Sequence, residues 1–338
     1  MSKRIAISGY YGFENFGDEA ILMVLSQELK KSGFDVTVFS KNPFNTSKKI
    51  GVNSVYTFDV NEVFKVLKSS DSLISGGGSL LQDVTSLKSL VYYLSVIACA
   101  LFFKKNVIIF AQGIGPINNI FARFVTKLLL KRCSYITVRD KKSCELLQNW
   151  GIKADLVSDP VWSLDLPTHV PQNKVGIQLR SWKTLTDDYL KKLAEAVAEK
   201  FFDKEIVIYS FQDSLDLAVC KKFEEYLKAI NPELKTNVIS AMSLEDTLNS
   251  FSELSFLIAM RYHACLLALK YGIPTLAISY DEKVEKFANR FNLPCSFLDI
   301  EENLITLVEN TKKINTQELL QKASECLFSF DKTIHFLK

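Results

Sequence analysis

Short runs rich in Ile and Val alternate with helix-patterned segments along most of this 338-residue sequence, and that alternation constrains the fold more than any other feature. Apolar strands are predicted at "RIAIS" (4–8), "DVTVF" (35–39), "DSLIS" (71–75), "NVIIF" (106–110) and "YITV" (135–138). Helical patterns lie between them, at 18–32, 60–69, 86–104, 118–132 and 140–150. Gly33 and Gly151 sit just past two of these helices as stop signals. Strands that are apolar throughout are covered on both faces, and helices between them indicate a parallel sheet. The alternation pauses at "DLPTHVPQNK" (165–174), where polar residues and Pro accumulate, and then restarts. Strands follow at 174–179, 206–210, 237–240, 255–259 and 275–279, with helices at 184–202, 215–229, 243–252, 264–271 and 281–291. The chain is too long for one ordinary core. The expectation is an α/β protein with two doubly wound Rossmann-like domains, residues 1–165 and 174–300, followed by a helical region over 301–338. Two such domains create a cleft, and open parallel sheets bind ligands beyond the carboxyl ends of their strands.

Composition narrows the function classes. Charged residues make up 23% and apolar residues 48%, which argues for packed domains and against disorder. A net charge of +3 without basic clusters argues against a dedicated nucleic-acid binder. The seven cysteines are odd in number and form no CxxC, so they read as free thiols of a reducing compartment. With only His169, His263 and His335 beside them, no metal site is expected. The start "MSKRIAISGYYGF" runs straight into a strand with no secretory h-region, which points to the cytoplasm. The apolar run "SLVYYLSVIACALFF" (89–103) is shorter than the ~20 residues a spanning helix needs. It reads as a buried helix, or as one that dips into a membrane surface together with the basic amphipathic stretch "FARFVTKLLLKR" (121–132).

The turns after the strands carry the candidate chemistry. Arg261 and His263 follow strand 255–259, and Lys283 follows the next strand, on the same rim of the same sheet. Cations at helix N-termini oppose the helix dipole, so this grouping is better explained with an anion among them. Arginine grips a carboxylate or phosphate in bidentate fashion. The competing explanation is an ion-pair network in which Arg261 meets Asp281 or Glu282. Arg139 and Arg180 end strands on the rims of the first and second domains, with salt bridges to neighbours such as Asp140 as the alternative. "SGYYGFENFGDEA" (8–20) is neither GxGxxG nor a Walker loop. Its Gly12, Asn15, Asp18 and Glu19 suit sugar hydroxyls, a general base, or helix capping alone. "ISGGGSLLQD" (74–83) offers Gly76, Gly77 and Gly78 for close backbone approach, with Gln82 and Asp83 as polar candidates. "AQGIGP" (111–116) is a similar turn.

Taken in order, "GYYGFENFGDEA", "SGGGSLLQD", "VRD" and "RYHA" followed by "DEKV" resemble the polysaccharide pyruvyl transferase family of the CsaB type, over residues 8–287. The resemblance implies two Rossmann-like domains facing across a cleft, the GT-B arrangement. It implies pyruvyl transfer from phosphoenolpyruvate, as co-substrate, to two hydroxyls of one sugar, giving a cyclic ketal, with no cofactor. It assigns Arg139, His263 and Lys283 to the active site and Arg261 to the donor. Arg180 is expected beside them as a substrate ligand, and Asp18 or Asp83 as the base. The implied acceptor is a lipid-linked or soluble glycan, such as an N-acetylmannosamine-containing cell-wall precursor. Peripheral contact with the inner membrane leaflet is expected for a lipid-linked one. Two other readings stay open: a GT-B nucleotide-sugar glycosyltransferase or epimerase, and a non-catalytic glycan-precursor-binding protein. Fold alone does not choose among them.

Overall fold

A computed structural model describes residues 2–300 and 302–338. The chain divides into two compact units, one of residues 1–164 with 327–338 and the other of residues 165–326.

The first unit holds seven parallel strands: β1 (Arg4–Ser8), β2 (Asp35–Ser40), β3 (Asn53–Tyr56), β4 (Ser72–Ser75), β5 (Asn106–Gln112), β6 (Tyr135–Val138) and β7 (Asp155–Leu156). Their order across the sheet is β3-β2-β1-β4-β5-β6-β7. Helices α1 (Phe16–Lys31), α2 (Pro43–Ile50), α3 (Val60–Ser69), α4 (Leu87–Phe102), α5 (Ile120–Leu130) and α6 (Lys141–Asn149) connect them. The central strands are buried because both faces carry Ile and Val. Val107 and Ile109 of β5, for instance, pack with Leu90, Tyr93, Leu94 and Ile97 of α4 in one core. The most apolar helical run in the sequence is therefore largely a core helix.

The second unit repeats the plan with β8 (Lys174–Gln178), β9 (Glu205–Tyr209), β10 (Thr236–Ile239), β11 (Leu254–Ala259), β12 (Thr275–Ser279) and β13 (Cys295–Phe297), in the order β10-β9-β8-β11-β12-β13. Its helices are α7 (Asp187–Lys200), α8 (Asp213–Ile230), α9 (Leu244–Ser252), α10 (Tyr262–Tyr271), α11 (Glu282–Phe291), α12 (Leu304–Lys312) and α13 (Thr316–Ser324). Gly272, at φ 73°, closes α10 in the left-handed conformation expected of a stop glycine.

The residues predicted as one helical region at 301–338 divide between the units; the first of them, Glu301, lies outside the described residues. Helices α12 and α13 belong to the second unit, and α14 (Asp331–Leu337) returns to the first. There Phe328 and Phe330 pack on Phe110 of β5, and Lys332 pairs with Asp155 at 2.9 Å. In both sheets the connections reverse direction beside the first strand, between β1 and β4 and between β8 and β11. Those switch points are where doubly wound sheets bind ligands.

Candidate active site

At the switch point of the first unit, α1 starts beside the triple glycine that follows β4. Asn15 caps α1 by accepting from the Gly17 N–H at 3.1 Å, and Glu19 accepts from the Gly12 N–H at 2.7 Å. Burial pushes the Glu19 carboxyl up, against the pull of that hydrogen bond. These contacts differ from the expected contacts to substrate: both side chains secure the loop itself. Gly12, at φ 76°, has no room for a side chain, since a Cβ would lie 2.2 Å from Ser40 Oγ.

The three glycines have separate duties. A Cβ on Gly76 would fall 2.0 Å from the Tyr11 hydroxyl, and one on Gly77 would fall 2.8 Å from Ile21. Those two admit packing from beneath. Gly78, at φ 84°, faces the Asp18 carboxylate, which would lie 2.6 Å from its Cβ. Asp18 is half-buried, and its charge contributes to raising the Tyr11 and Tyr93 hydroxyls, after their burial. Gln112, fully buried at the end of β5, holds this loop from the other side. Its Nε2 donates to Ser75 O, Ser75 Oγ and Gly76 O at 2.8–3.1 Å.

Asp83 is placed differently from the expectation. Its carboxylate accepts the backbone N–H groups of Asn118 and Asn119 at 2.7–2.8 Å, which holds it below the usual carboxylate range. It braces the start of α5 and is a poor base. Gln82 is likewise tied to Thr85, whose N–H it accepts at 3.1 Å. Of the two carboxylates proposed as base, Asp18 is the one that adjoins the glycine turn.

Arg139 follows β6, and its backbone N–H donates to Gln112 O at 3.2 Å. Its Nη1 pairs with Asp159, a fully buried carboxylate, and not with the Asp140 next in sequence. Its Nη2 approaches Ser79 Oγ at 3.5 Å, so the guanidinium reaches the end of the glycine turn. Asp159 also caps the single 3-10 turn at Pro160–Ser163 by accepting from the Val161 N–H.

At the switch point of the second unit, Arg261 occupies the N-cap position of α10. Its partner is neither Asp281 nor Glu282. Asp216, buried in the first turn of α8, takes Nε at 2.8 Å and Nη2 at 2.7 Å. The same carboxylate accepts from the Phe211 and Gln212 N–H groups at 3.1 Å. Gln178, at the end of β8, accepts the Arg261 N–H at 2.8 Å. These bonds employ Nε and Nη2 and leave Nη1 outside them. Burial pushes the Asp216 carboxyl up and the Arg261 guanidinium opposes it.

Arg180 follows β8 and lies over the rings of Trp182 and Tyr280, 5.5 and 5.6 Å from their centroids. Its Nε is buried with no hydrogen-bond partner among the described residues. His263 sits half-buried in the first turn of α10, against Tyr262, which packs in turn on Phe287 of α11. Lys283 lies exposed in the first turn of α11, whose N-terminus Asp281 caps. Arg180, Arg261, His263 and Lys283 thus follow three adjacent strands, β8, β11 and β12. Asp159, Asp216, Gln112 and Gln178 were not singled out from the sequence. Asp-Pro at 159–160 is a turn signal that points to Asp159, whereas Asp216 reads as an ordinary first-turn acid.

The seven cysteines are free thiols; Cys220, Cys265 and Cys326 are buried and the others half-buried. Among the described residues no helix is long and apolar enough to cross a membrane.

Comparison with solved structures agrees with this architecture. UDP-GlcNAc 2-epimerase of Methanocaldococcus jannaschii superposes with a TM-score of 0.65 at 14% identity, covering 96% of this chain and 99% of that one. HepE of Anabaena, solved with UDP and glucose, gives a TM-score of 0.62 at 12% identity, covering 98% and 97%. At such identities the likeness is one of fold: two doubly wound Rossmann-like domains, as in GT-B enzymes. In sequence, the amylovoran biosynthesis protein AmsJ of Erwinia amylovora is 22% identical over 264 residues, 70% of this chain. The match spans 63% of that relative's length. The polysaccharide pyruvyl transferase family matches residues 15–282, from the cap of α1 to the first residue of α11, and so takes in both rims except Gly12 and Lys283. The chain belongs to the polysaccharide pyruvyl transferase family.

Proposed function

We propose that the protein transfers the pyruvyl group of phosphoenolpyruvate to two hydroxyls of one sugar, forming a cyclic ketal and releasing phosphate. The observation that carries this reading is the row of cationic side chains after β8, β11 and β12. Phosphoenolpyruvate bears a carboxylate and a phosphate on adjacent atoms, and arginine and lysine at neighbouring strand ends suit such a pair. Arg180 offers a buried Nε, Arg261 its Nη1 edge, and Lys283 an exposed ammonium. His263, in the same row, is the proton donor of this scheme.

The steps balance without a further reactant. The methylene carbon takes a proton from His263 with the electron pair of the double bond, leaving an oxocarbenium-like centre. One sugar hydroxyl adds to that centre and gives its proton to Asp18, which hands it on to the phosphate as that group departs. Phosphate then leaves with the pair of its carbon–oxygen bond, and the second hydroxyl closes the ring and returns a proton to His263. Arg139, oriented by Asp159, supplies a fixed charge on the acceptor side. The AmsJ relative, named for amylovoran biosynthesis, supports a polysaccharide precursor as acceptor, and we take a lipid-linked N-acetylmannosamine-containing one as the first to test.

The test is phosphate release from phosphoenolpyruvate across a panel of lipid-linked and soluble glycans, with the product examined for a pyruvate ketal. Release that depends on one acceptor and accompanies ketal formation is the expected result. Thermal protection by a nucleotide diphosphate, with none by phosphoenolpyruvate, would favour a nucleotide-sugar enzyme instead.

A further inference from the structure

The most apolar run of the sequence is mostly buried, although its Val91 and Phe102 are exposed. The long apolar run lies in α4, which buries Leu90, Tyr93, Leu94, Val96, Ile97 and Ala100. The neighbouring α5 buries only Ala122, Thr126 and Leu130, and turns larger apolar groups outward. Ile120, Phe121, Phe124 and Leu128 are 81%, 75%, 62% and 45% exposed. At 3.6 residues per turn these four fall within an arc of about 100°. Lys127 and Arg132 flank the arc, Lys131 lies at its C-terminal end, and residues 120–132 contain no acidic side chain.

This face is built to stay where it is. Asp83 accepts the Asn118 and Asn119 N–H groups just before the helix, which fixes its start. An exposed apolar patch of this kind marks an interaction surface. Phe and Leu in one stripe with Lys alongside is the composition of a helix lying in a membrane interface, aromatic groups among acyl chains and ammonium groups at the headgroups. A second copy is a poor occupant, because a two-fold contact sets the same patch against itself and brings the basic flanks together. An anionic bilayer meets both the stripe and the charges.

We propose that the outward face of α5 docks the protein on an anionic membrane surface, with Phe121 and Phe124 inserted and Lys127, Lys131 and Arg132 at the phosphates. The docking face is one helix of 11 residues, too short to span, so attachment is peripheral and reversible. The inference stands on the surface alone and holds whatever reaction the chain performs.

The test is sedimentation of the full-length protein with vesicles of phosphatidylcholine alone or of equal parts phosphatidylcholine and phosphatidylglycerol. The expected result is binding to the anionic vesicles only, weakened by salt. Phe121→Ser with Phe124→Ser should reduce that binding about tenfold or more. Lys127→Gln, Lys131→Gln and Arg132→Gln together should reduce it by a similar factor. Phe121, Phe124, Lys131 and Arg132 are exposed and Lys127 is half-buried, so thermal unfolding should change little in both variants. No binding of the wild type to anionic vesicles, or equal binding by the aromatic variant, would overturn the proposal. So would sedimentation velocity showing a wild-type dimer that the aromatic variant loses, since the face would then be a contact between copies.

Discussion

Asp216 grips Arg261 with both carboxylate oxygens, Oδ2 on Nε at 2.8 Å and Oδ1 on Nη2 at 2.7 Å, and neither side chain is open to solvent. An arginine held by this edge is aimed, because its planar fork cannot turn without breaking both bonds. Removing one partner of such a buried pair leaves the other charge uncompensated, which costs about 3–5 kcal/mol. Asp216→Asn should therefore lower unfolding free energy by about that amount and raise KM for phosphoenolpyruvate. Lys283→Ala, at an exposed position, should change stability by no more than about 0.5 kcal/mol while also weakening donor binding. Chemical denaturation and donor titration separate the two effects. An Asp216→Asn protein as stable as the wild type would show that Arg261 does not depend on its partner.

The contact of Gly76 with Tyr11 can be tested by rescue. Gly76→Ala places a methyl group 2.0 Å from the Tyr11 hydroxyl oxygen, so it should destabilise by roughly 1–3 kcal/mol. The Tyr11 hydroxyl is buried with no hydrogen-bond partner among the described residues, so Tyr11→Phe alone should be neutral or slightly stabilising. In the double variant the nearest remaining ring atom is 3.2 Å away, and much of the loss should return. Unfolding curves of the three variants form the cycle; additive effects would mean the two residues do not meet.

Glu19 makes a pH prediction. Burial raises its carboxyl in the folded chain, so the folded state holds a proton that the unfolded chain has already released. The stability tied to that proton is complete below the unfolded value near 4.3 and is lost as pH rises through the folded one. Glu19→Gln keeps an acceptor for the Gly12 N–H and does not titrate. The advantage of the variant over the wild type should widen as pH rises from about 4 and then level off. Parallel Tm profiles for the two proteins across that range would disprove the assigned burial effect.

The sequence made the central strands plain because Ile and Val covered on both faces leave an unbroken apolar run, as in "NVIIF" of β5. Edge strands lack that signature: β3 reads "NSVY", half-buried at most, and was missed with its neighbour α2. Strand-end position identified Arg139, Arg261, His263 and Lys283, since chain order alone decides which turn follows which strand. What each side chain holds was not legible. Asp159 lies 20 residues from Arg139, and Asp216 lies 45 from Arg261, so no local pattern joins them. Carboxylates and amides that look available in sequence prove to be engaged: Glu19 and Gln82 secure their own loops, and Asp83 secures the start of α5. Of the two readings of the apolar run at 89–103, α4 largely follows the buried one, whereas α5 leaves one side open.

The central claim is that a proton from His263 starts pyruvyl transfer from phosphoenolpyruvate. The most direct measurement runs the reaction in deuterated water with a competent glycan and follows ketal formation and the methyl group by NMR, for the wild type and His263→Gln. The account predicts a ketal methyl carrying one deuterium, formed about 10²–10⁴-fold more slowly by the variant, with donor binding nearly unchanged. A ketal formed at the wild-type rate by His263→Gln, or a methyl group without deuterium, would contradict it.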